Sequence, residues 1–317
     1  DDYNIEHIWH FLKVCDEKGW LYRGARSMPW CTRCGTSLSQ HELIDSYREM
    51  THTSLTVRLP IVGREREYLL VWTTTPWTLA ANVAAAVHPD LDYAVVRQGD
   101  DTYYLSTGTL ATLVGDYEIV RTVKGREMVG WGYEGPFDYL PAVKRIKHRV
   151  VAWDDVSDEE GTGIVHIAPG CGAEDYALGK TEGLDVVVPI GENGDYFDGF
   201  GWLSRRNALE VAADVAEDLR QRGMLYWVRP YSHRYPVCWR CSSELVFRLV
   251  DEWFLSAQEI RPLMIAAART VDWVPEHAGK RMEDWLNNMG DWCISRKRYW
   301  GLPLPFYTCT QCGKTTV

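Results

Sequence analysis

The sequence predicts a mixed α/β fold, in which a β-barrel-rich domain with a zinc-ribbon module is flanked by helical segments. Short strand-like runs, separated by Gly and Asp turns, dominate residues 54 to 167 and favour a barrel-like sheet. Apolar residues recur at helical spacing in residues 4 to 18, and three Cys-x-x-Cys pairs indicate zinc. A chain of 317 residues is long enough for two domains, or for one domain with a large insertion.

The composition is that of an ordinary folded protein, with 46% hydrophobic and 25% charged residues. A formal charge of −10 argues against a general nucleic-acid-binding protein, although a local basic groove is compatible with it. No apolar run approaches the roughly 18 residues that a membrane-spanning helix needs, so we expect no membrane contact. Asp1 and Asp2 resemble neither a signal peptide nor an initiating methionine, so we expect a piece of a larger protein.

The predicted elements begin with the helix at residues 4 to 18, which Gly19 ends. Runs rich in β-branched and aromatic residues then predict strands at 54–59, 68–75, 93–96, 102–105, 117–120, 148–152 and 163–167. A helix is expected over residues 173 to 181, and a second is expected to begin with Ser204 as its cap. A third helix, rich in Ala and Met, follows Leu255.

Three consecutive threonines extend the second predicted strand, and Pro76 ends it because proline has no amide hydrogen to donate. Side chains alternate across a strand, so Thr73 and Thr75 are expected on one face and Thr74 on the other. Taken alone, the pattern is typical of a polar strand end packed by an aromatic side chain. It becomes a candidate site only if other chemistry lies beside it.

Six of the nine cysteines form three pairs of the spacing that zinc knuckles use. The pairs are Cys31 with Cys34, Cys238 with Cys241, and Cys309 with Cys312. Disulfides within the pairs are the alternative, but nothing else in the sequence indicates secretion. If the first two pairs share one zinc ion, everything between them is an insertion whose ends are held together. The third pair then needs further ligands, which we expect beyond Val317.

A second concentration of reactive groups follows the last predicted strand, which delivers His166 to a loop rich in Gly and Pro. Glu174 and Asp175 fall in the first turn of the next helix, where the helix dipole favours carboxylates. The simpler interpretation is a structural histidine followed by two capping acids. The alternative is a site for a small ligand that carries an ammonium group.

Three segments together resemble the isoleucyl-tRNA synthetase family, and the resemblance covers essentially the whole chain. They are Trp72–Leu79 with Asn82, Gly161–Tyr176, and Trp292–Arg296 with Arg298–Gly301. The related valyl and leucyl enzymes carry Thr-Thr-Arg-Pro where this chain has Thr-Thr-Thr-Pro at residues 73–76. The chain departs from the family's usual pattern at Ala80, where proline is common.

The resemblance implies a class I synthetase whose catalytic domain is interrupted by an editing insertion. Two family motifs that handle ATP, His-Ile-Gly-His and Lys-Met-Ser-Lys-Ser, are missing, so ATP and magnesium are expected only in the parent enzyme. That parent is expected to be a cytoplasmic monomer. The implied division is a helical segment (1–30), a zinc-knuckle module (31–53 and 230–250), an editing domain (54–229) and a return to the catalytic domain with a partial second knuckle (251–317).

Editing is needed because one methylene group in an apolar pocket is worth only roughly 1–3 kcal/mol, a limit long described for this very family. Valine therefore passes the isoleucine site and must be removed from tRNA(Ile) by hydrolysis elsewhere. By the resemblance, Asp175 binds the aminoacyl ammonium group, and Thr73, Thr74 and Thr75 hold the terminal adenosine, the ester and the water. His166 belongs to the wall that excludes isoleucine and is also a candidate for proton transfer, since its ordinary pKa allows both states.

Trp77 and Asn82 are expected to shape the same pocket, and attack by water without a covalent intermediate is expected. Two alternatives remain from the sequence. One is a non-catalytic zinc-ribbon module that binds tRNA through basic runs at 144–149 and 296–298. The other is a structural part of a synthetase whose editing site has decayed, although the three threonines, His166 and Asp175 argue against decay.

Overall fold

The computed structural model describes residues 1–297 and 301–317, and within them only the backbone of Gln40 and His41. The strands are β1 (Leu21–Cys31), β2 (Thr36–Ser37), β3 (Tyr47–Pro60), β4 (Glu67–Thr73), β5 (Ala84–Val87), β6 (Asp92–Gln98), β7 (Asp101–Ser106), β8 (Glu118–Lys124), β9 (Arg149–Ala152), β10 (Ile164–Ile167), β11 (Leu225–Pro236), β12 (Val246–Leu255), β13 (Trp292–Cys293), β14 (Tyr307–Thr308) and β15 (Thr315–Thr316). The α-helices are α1 (Asp2–Glu17), α2 (Gln40–Leu43), α3 (Gly125–Met128), α4 (Ala173–Glu182), α5 (Ala212–Gln221), α6 (Ile260–Ala268) and α7 (His277–Asn288). Short 3-10 helices lie at Pro76–Ala81, Thr107–Thr112, Gly201–Leu203 and Ala208–Glu210.

The chain divides into two units, one formed by residues 1–26 with 250–317 and the other by residues 27–249. The first unit contains α1, whose Leu12 and Cys15 are buried, and a helical pair in which Arg269 of the α6 C-cap forms an ion pair with Glu283 of α7. Its apolar cluster joins Cys15, Leu21 and Leu255. The domain assignment made from the sequence is finer than this division and stays a prediction.

The second unit is organised around β4, whose Leu69, Leu70 and Val71 are fully buried. Strand β4 pairs antiparallel with β3 along one edge. Along its other edge it pairs in parallel with β7 at its start and with β10 at its end. This change of neighbour makes the nine-stranded sheet curl, because β10 continues into β5 and β9 while β7 continues into β6 and β8. The prediction of a mixed α/β fold with a barrel-like sheet is confirmed.

A long two-stranded ribbon extends from this sheet. Strand β11 pairs antiparallel with β3 from Leu225 opposite Val57 to Pro236 opposite Tyr47. The first two cysteine pairs lie at the ends of strands. Cys31 is the last residue of β1, and Cys238 lies two residues after the end of β11. The hydrogen bonds between β3 and β11 therefore bring together the two ends of the segment that separates these cysteine pairs.

Several predicted boundaries were wrong: β3 begins at Tyr47 rather than at residue 54, and β8 ends at Lys124 rather than at residue 120. Two further errors have a clear physical cause. The strand predicted to reach Thr75 ends at Thr73, because the Thr73 hydroxyl accepts the Thr75 amide and turns the chain. The helix predicted from Ser204 begins only at Ala212, because the Ser204 hydroxyl instead accepts the Phe200 amide in the preceding turn. The predicted apolar face of that helix is present, since Val215 and Leu219 are buried.

Candidate functional site

The candidate site lies where two neighbouring parallel strands end. In the register of β4 and β10, Val165 lies opposite Trp72, so Thr73 and His166 follow at the same edge of the sheet. The ends of β10 and β5 are also paired, with His166 opposite Ala85. Parallel pairing thus brings together two segments that are more than 80 residues apart in sequence, which gives the site a rigid base.

The threonines form a compact turn at the end of β4. The Thr73 hydroxyl accepts the Thr75 amide at 3.1 Å, and the hydroxyl oxygens of Thr73 and Thr75 are 3.4 Å apart. Pro76 then begins a 3-10 helix, in which the Thr78 hydroxyl donates to the Thr75 carbonyl at 2.8 Å. Thr73 is buried, whereas Thr74 and Thr75 are partly exposed. The turn therefore presents hydroxyl groups that are close enough to share one small polar ligand.

His166 is held from both sides of its ring. Its Nε2 lies 2.9 Å from the Thr78 hydroxyl oxygen, and its Nδ1 lies 2.8 Å from Asn82 Nδ2. Asn82 is itself buried, and its Oδ1 accepts the hydroxyl of Tyr133 at 2.7 Å. Burial, followed by the nearby charge of His148, lowers the pKa of His166 to about 4. The imidazole is accordingly neutral at pH 7 and fixed in orientation.

Asp175 stands in the first turn of α4, and its carboxylate folds back over the loop that leads from β10. One carboxylate oxygen accepts the Ala168 amide at 2.7 Å. Burial raises the pKa of Asp175 to about 6, the hydrogen bond from Ala168 opposes that rise, and Glu174 adds to it. The carboxylate is therefore mostly ionised at pH 7, in a setting that favours a cationic partner.

Glycines permit the close packing of this loop. A Cβ atom at Gly170 would lie 1.9 Å from the Val187 carbonyl oxygen, and one at Gly172 would lie 2.9 Å from the Asp175 carboxyl carbon. A side chain at Gly170 would require a shift of the backbone, and one at Gly172 would displace the Asp175 side chain. The loop sequence thus fixes where the Asp175 carboxylate sits relative to the end of β10.

Four of the predicted site residues form one hydrogen-bonded group. Hydrogen bonds connect Thr73, Thr75, Asn82 and His166 through Thr78. Trp77 is buried beside them; its carbonyl accepts the Tyr196 hydroxyl at 2.6 Å, and its indole NH has no hydrogen-bond partner among the described residues. Cys171 is a buried thiol whose pKa burial raises well above its usual value, which makes it a poor nucleophile.

Two residues of this network were missed in the sequence. Thr78 could have been found, because a helical turn after Pro76 places it three residues from Thr75, on the same side. Tyr133 carries no such local signal. Only the tertiary fold brings its hydroxyl to Asn82.

The first two cysteine pairs do come together. The ligand atoms of Cys31, Cys34, Cys238 and Cys241 all lie within 4.8 Å of one another. The Cys31–Cys241 and Cys34–Cys238 sulfur distances are 3.5 and 4.0 Å, far longer than a disulfide bond. Four sulfurs at about 2.3 Å from a zinc ion would be about 3.8 Å apart, so these residues fit tetrahedral zinc.

All three knuckles share one turn geometry. In each, the residue after the second cysteine has a positive φ and donates its amide to the carbonyl of the first: Gly35 to Cys31, Ser242 to Cys238, and Gly313 to Cys309. Cys309 and Cys312 are exposed. Within the described residues only the four-cysteine cluster forms a possible metal site, so ligation by Cys309 and Cys312 stays a prediction.

A cavity of about 300 Å³ opens elsewhere in the second unit, lined among others by Trp72, Trp227, Arg229 and Tyr231. It includes none of the predicted site residues. The hydrogen bonds and perturbed pKa values gather instead around His166 and Asp175, which is where chemistry is expected. The third sequence motif is only partly visible, because Arg298, Tyr299 and Trp300 lie outside the described residues.

None of the helices in the described part of the chain is both long and apolar enough to cross a lipid bilayer.

The chain is similar to known proteins over its full length. The family described as tRNA synthetases class I (I, L, M and V) matches residues 1–317. The isoleucine–tRNA ligase of Methanothermobacter thermautotrophicus is 41% identical over 316 residues, which cover 99% of this chain and 30% of that protein. The isoleucine–tRNA ligase of Methanosarcina barkeri is 40% identical over 329 residues, covering 100% and 31%. The chain thus spans about a third of the length of the curated relatives it matches.

Parts of the chain overlap with solved structures. A crystal structure described as GlLeuRS-CP1 has a TM-score of 0.45 at 13% identity, covering 56% of this chain and 99% of that one. The editing domain of the Plasmodium knowlesi cytosolic leucyl-tRNA synthetase has a TM-score of 0.32 at 14% identity, covering 44% and 64%.

Proposed function

The chain belongs to the class I tRNA synthetases of the isoleucine, leucine, methionine and valine group, and we propose that it is the editing region of an isoleucine–tRNA ligase. The proposed reaction is hydrolysis of the ester that joins valine to the 3′ end of tRNA(Ile). Water attacks the ester carbonyl, the bond to the ribose oxygen breaks, that oxygen takes the proton, and valine and free tRNA leave. ATP and magnesium belong to the ligase reaction of the parent enzyme.

The observation that carries this proposal is the meeting of three functions at one sheet edge. The Thr75 hydroxyl, in a partly exposed residue, lies 3.2 Å from the Thr78 hydroxyl that contacts a buried, immobilised imidazole, and an ionised carboxylate follows in the next helix. An aminoacyl ester needs these groups: donors for the ester and water, a wall for the side chain, and an anion for the ammonium. Nothing in this set acts as an activated nucleophile, which supports direct attack by water.

Asp175 has the role of the ammonium ligand. One of its oxygens is committed to the Ala168 amide, and the remaining acceptor capacity serves a cation. A charged hydrogen bond of this kind contributes about 1.5–3 kcal/mol. Binding of the ammonium also favours the ionised carboxylate, and so brings its raised pKa down in the complex.

His166 has a steric role rather than a proton-transfer role. Both ring nitrogens are engaged by Thr78 and Asn82, and a pKa of about 4 leaves the ring neutral at pH 7. A neutral ring does not repel the ammonium of the substrate. A ring that hydrogen bonds hold from both sides cannot move aside for one additional methylene, and so it excludes isoleucine.

Cys31, Cys34, Cys238 and Cys241 would hold a structural zinc ion. Bound zinc supplies a cross-link between the two ends of the inserted segment and takes no part in hydrolysis. A role as a non-catalytic tRNA-binding module remains the second candidate, because a cysteine cluster alone fits it equally well. Hydrolysis separates the two candidates, since the second binds tRNA without releasing the amino acid.

The test compares release of valine and isoleucine from tRNA(Ile) by the 317-residue chain. We expect valyl-tRNA(Ile) to be hydrolysed and isoleucyl-tRNA(Ile) to persist. Asp175→Asn should lower kcat/KM for valyl-tRNA by about 10- to 150-fold, the loss of one charged hydrogen bond. Glu174→Gln is the matched control, since Glu174 is exposed in the same helical turn. Equal loss in both variants, or none in either, contradicts the assignment of Asp175.

A further inference from the structure

A buried chain of hydrogen bonds leads from Tyr133, which lies outside the predicted site, to the imidazole of His166. We infer that Tyr133 is a positioning residue: through Asn82 it holds His166 as the neutral tautomer that carries its proton on Nε2. The consequence for discrimination between amino acids rests on the proposed function. The tautomer itself follows from contacts among Tyr133, Asn82, His166, Thr78 and backbone carbonyls.

The orientation of the Asn82 amide is fixed first. Its Nδ2 lies 3.0 Å from the Ala84 carbonyl oxygen, which can only accept a hydrogen bond. The atom facing Ala84 must therefore be the nitrogen. Oδ1 then faces the Tyr133 hydroxyl at 2.7 Å and accepts its hydrogen bond. A flipped amide would set Oδ1 against the Ala84 carbonyl oxygen, and the two acceptors would face each other without a donor in a buried place.

The orientation of Asn82 then fixes the proton on His166. Asn82 Nδ2 lies 2.8 Å from His166 Nδ1, and an amide nitrogen can only donate, so Nδ1 must be the unprotonated nitrogen. The ring proton therefore sits on Nε2 and is donated to the Thr78 hydroxyl at 2.9 Å. That hydroxyl in turn donates to the Thr75 carbonyl. The chain runs in one direction, from Tyr133 to the threonine turn.

Burial fixes which group donates and which accepts at each hydrogen bond of this chain. Tyr133, Asn82, Thr78 and His166 are all buried, and a polar group left unpaired in such a place is costly. Burial also raises the pKa of Tyr133 well above its usual value, so its hydroxyl stays protonated and remains a hydrogen-bond donor. A doubly protonated ring is disfavoured as well, because Nδ1–H would point at the Asn82 NH2 group.

The arrangement fixes the orientation of the His166 ring. Without the Tyr133 hydroxyl, the Asn82 carbonyl oxygen is buried without its donor, and the amide is held by Ala84 and His166 alone. The ring then gains freedom to rotate or to exchange tautomers, and the wall against the additional methylene becomes softer. Tyr133 acts on the substrate only through Asn82 and His166.

The experiment is a nitrogen NMR measurement of His166 in the 317-residue chain, in the wild type, Asn82→Asp, Tyr133→Phe and Tyr93→Phe. We expect a proton on Nε2 alone in the wild type. Asn82→Asp replaces the donor at Nδ1 by an acceptor, so Nδ1 should become protonated. Tyr133→Phe should shift the tautomer signals towards a mixture. Tyr93→Phe is the control, because among the described residues that buried hydroxyl bonds the Gly163 carbonyl and the His88 amide, outside the network.

The second arm measures kcat/KM for valyl- and isoleucyl-tRNA(Ile) with the same proteins. Tyr133→Phe should lower the ratio of kcat/KM for valyl-tRNA(Ile) to that for isoleucyl-tRNA(Ile) about three- to tenfold, which corresponds to the loss of one ordinary hydrogen bond. Tyr93→Phe should leave this ratio unchanged. A wild-type proton on Nδ1, or an Asn82→Asp variant with Nδ1 still unprotonated, overturns the inference. So does a ratio that Tyr133→Phe leaves at the level of Tyr93→Phe. A wild-type chain that hydrolyses neither ester contradicts the proposed function instead, and the NMR result then decides the tautomer alone.

Discussion

The ionisation of Asp175 should be visible in the pH dependence of hydrolysis. Burial raises its pKa from the ordinary value of 3.8 to about 6. The carboxylate that binds the ammonium therefore becomes protonated at an unusually high pH. Below pH 6, kcat/KM for valyl-tRNA(Ile) should fall roughly tenfold per pH unit. From pH 7 upwards Asp175 is almost fully ionised, so it causes no further rise in kcat/KM.

The raised pKa of Asp175 also makes the free energy of unfolding depend on pH. Between about pH 4 and pH 6 the unfolded chain has Asp175 ionised while the folded chain keeps it protonated, so raising the pH through this window destabilises the fold. The full loss is about 3 kcal/mol in free energy of unfolding, as an order of magnitude. It is complete above pH 6 and absent below pH 4. Asp175→Asn removes it, so this variant should gain stability relative to the wild type as the pH rises.

The assay is initial-rate deacylation from pH 5 to 8, corrected for spontaneous hydrolysis, alongside urea unfolding of the wild type and Asp175→Asn. We expect an inflection near pH 6 in the wild type that Asp175→Asn lacks. We also expect a difference in unfolding free energy between the two proteins that grows from pH 4 to pH 6. A wild-type profile that is flat from pH 5 to 7, or the same inflection in Asp175→Asn, refutes the reasoning.

Three further predictions concern the wall, the turn and the metal site. His166→Ala opens the wall, so hydrolysis of isoleucyl-tRNA(Ile) should rise at least roughly tenfold; a rate that stays at the wild-type level removes the steric role. Thr75→Val keeps the shape of a partly exposed side chain but removes its hydroxyl, so valyl-tRNA hydrolysis should fall about tenfold. Thr56→Val, at a buried hydroxyl without a hydrogen-bond partner in the described chain, should keep the rate; equal effects of the two changes contradict a role for Thr75. Metal analysis should find zinc bound through the four clustered cysteines, with chelation lowering Tm, and Cys34→Ser should lose that zinc whereas Cys312→Ser should not destabilise the cluster.

Much of the fold follows from local sequence patterns. The predicted helix at residues 4 to 18 corresponds to α1, and Gly19 does take a positive φ after it. The apolar run before the threonines is β4, because residues buried on both faces of a sheet form a continuous hydrophobic segment. Strand ends were harder. Where side chains bond their own backbone, as Thr73 and Ser204 do, turns compete with regular structure in a way that propensity does not reveal.

The candidate site was predictable only as far as its residues lie in short motifs. Thr73, Thr75, Asn82 and His166 lie in two such motifs, and the parallel pairing of β4 with β10 explains why the motifs meet. Tyr133 could not be found in this way. Its contact with Asn82 joins residues 51 positions apart, and nothing in the sequence around Tyr133 marks it.

The most direct test of the account is a crystal structure of the chain with a non-hydrolysable amide analogue of valine linked to the terminal adenosine. We expect the ammonium within hydrogen-bond distance of the Asp175 carboxylate, the valine side chain in contact with the His166 ring, and Thr74 or Thr75 in contact with the linkage. An analogue bound away from the ends of β4 and β10, for example in the cavity beside Trp227, would contradict this expectation.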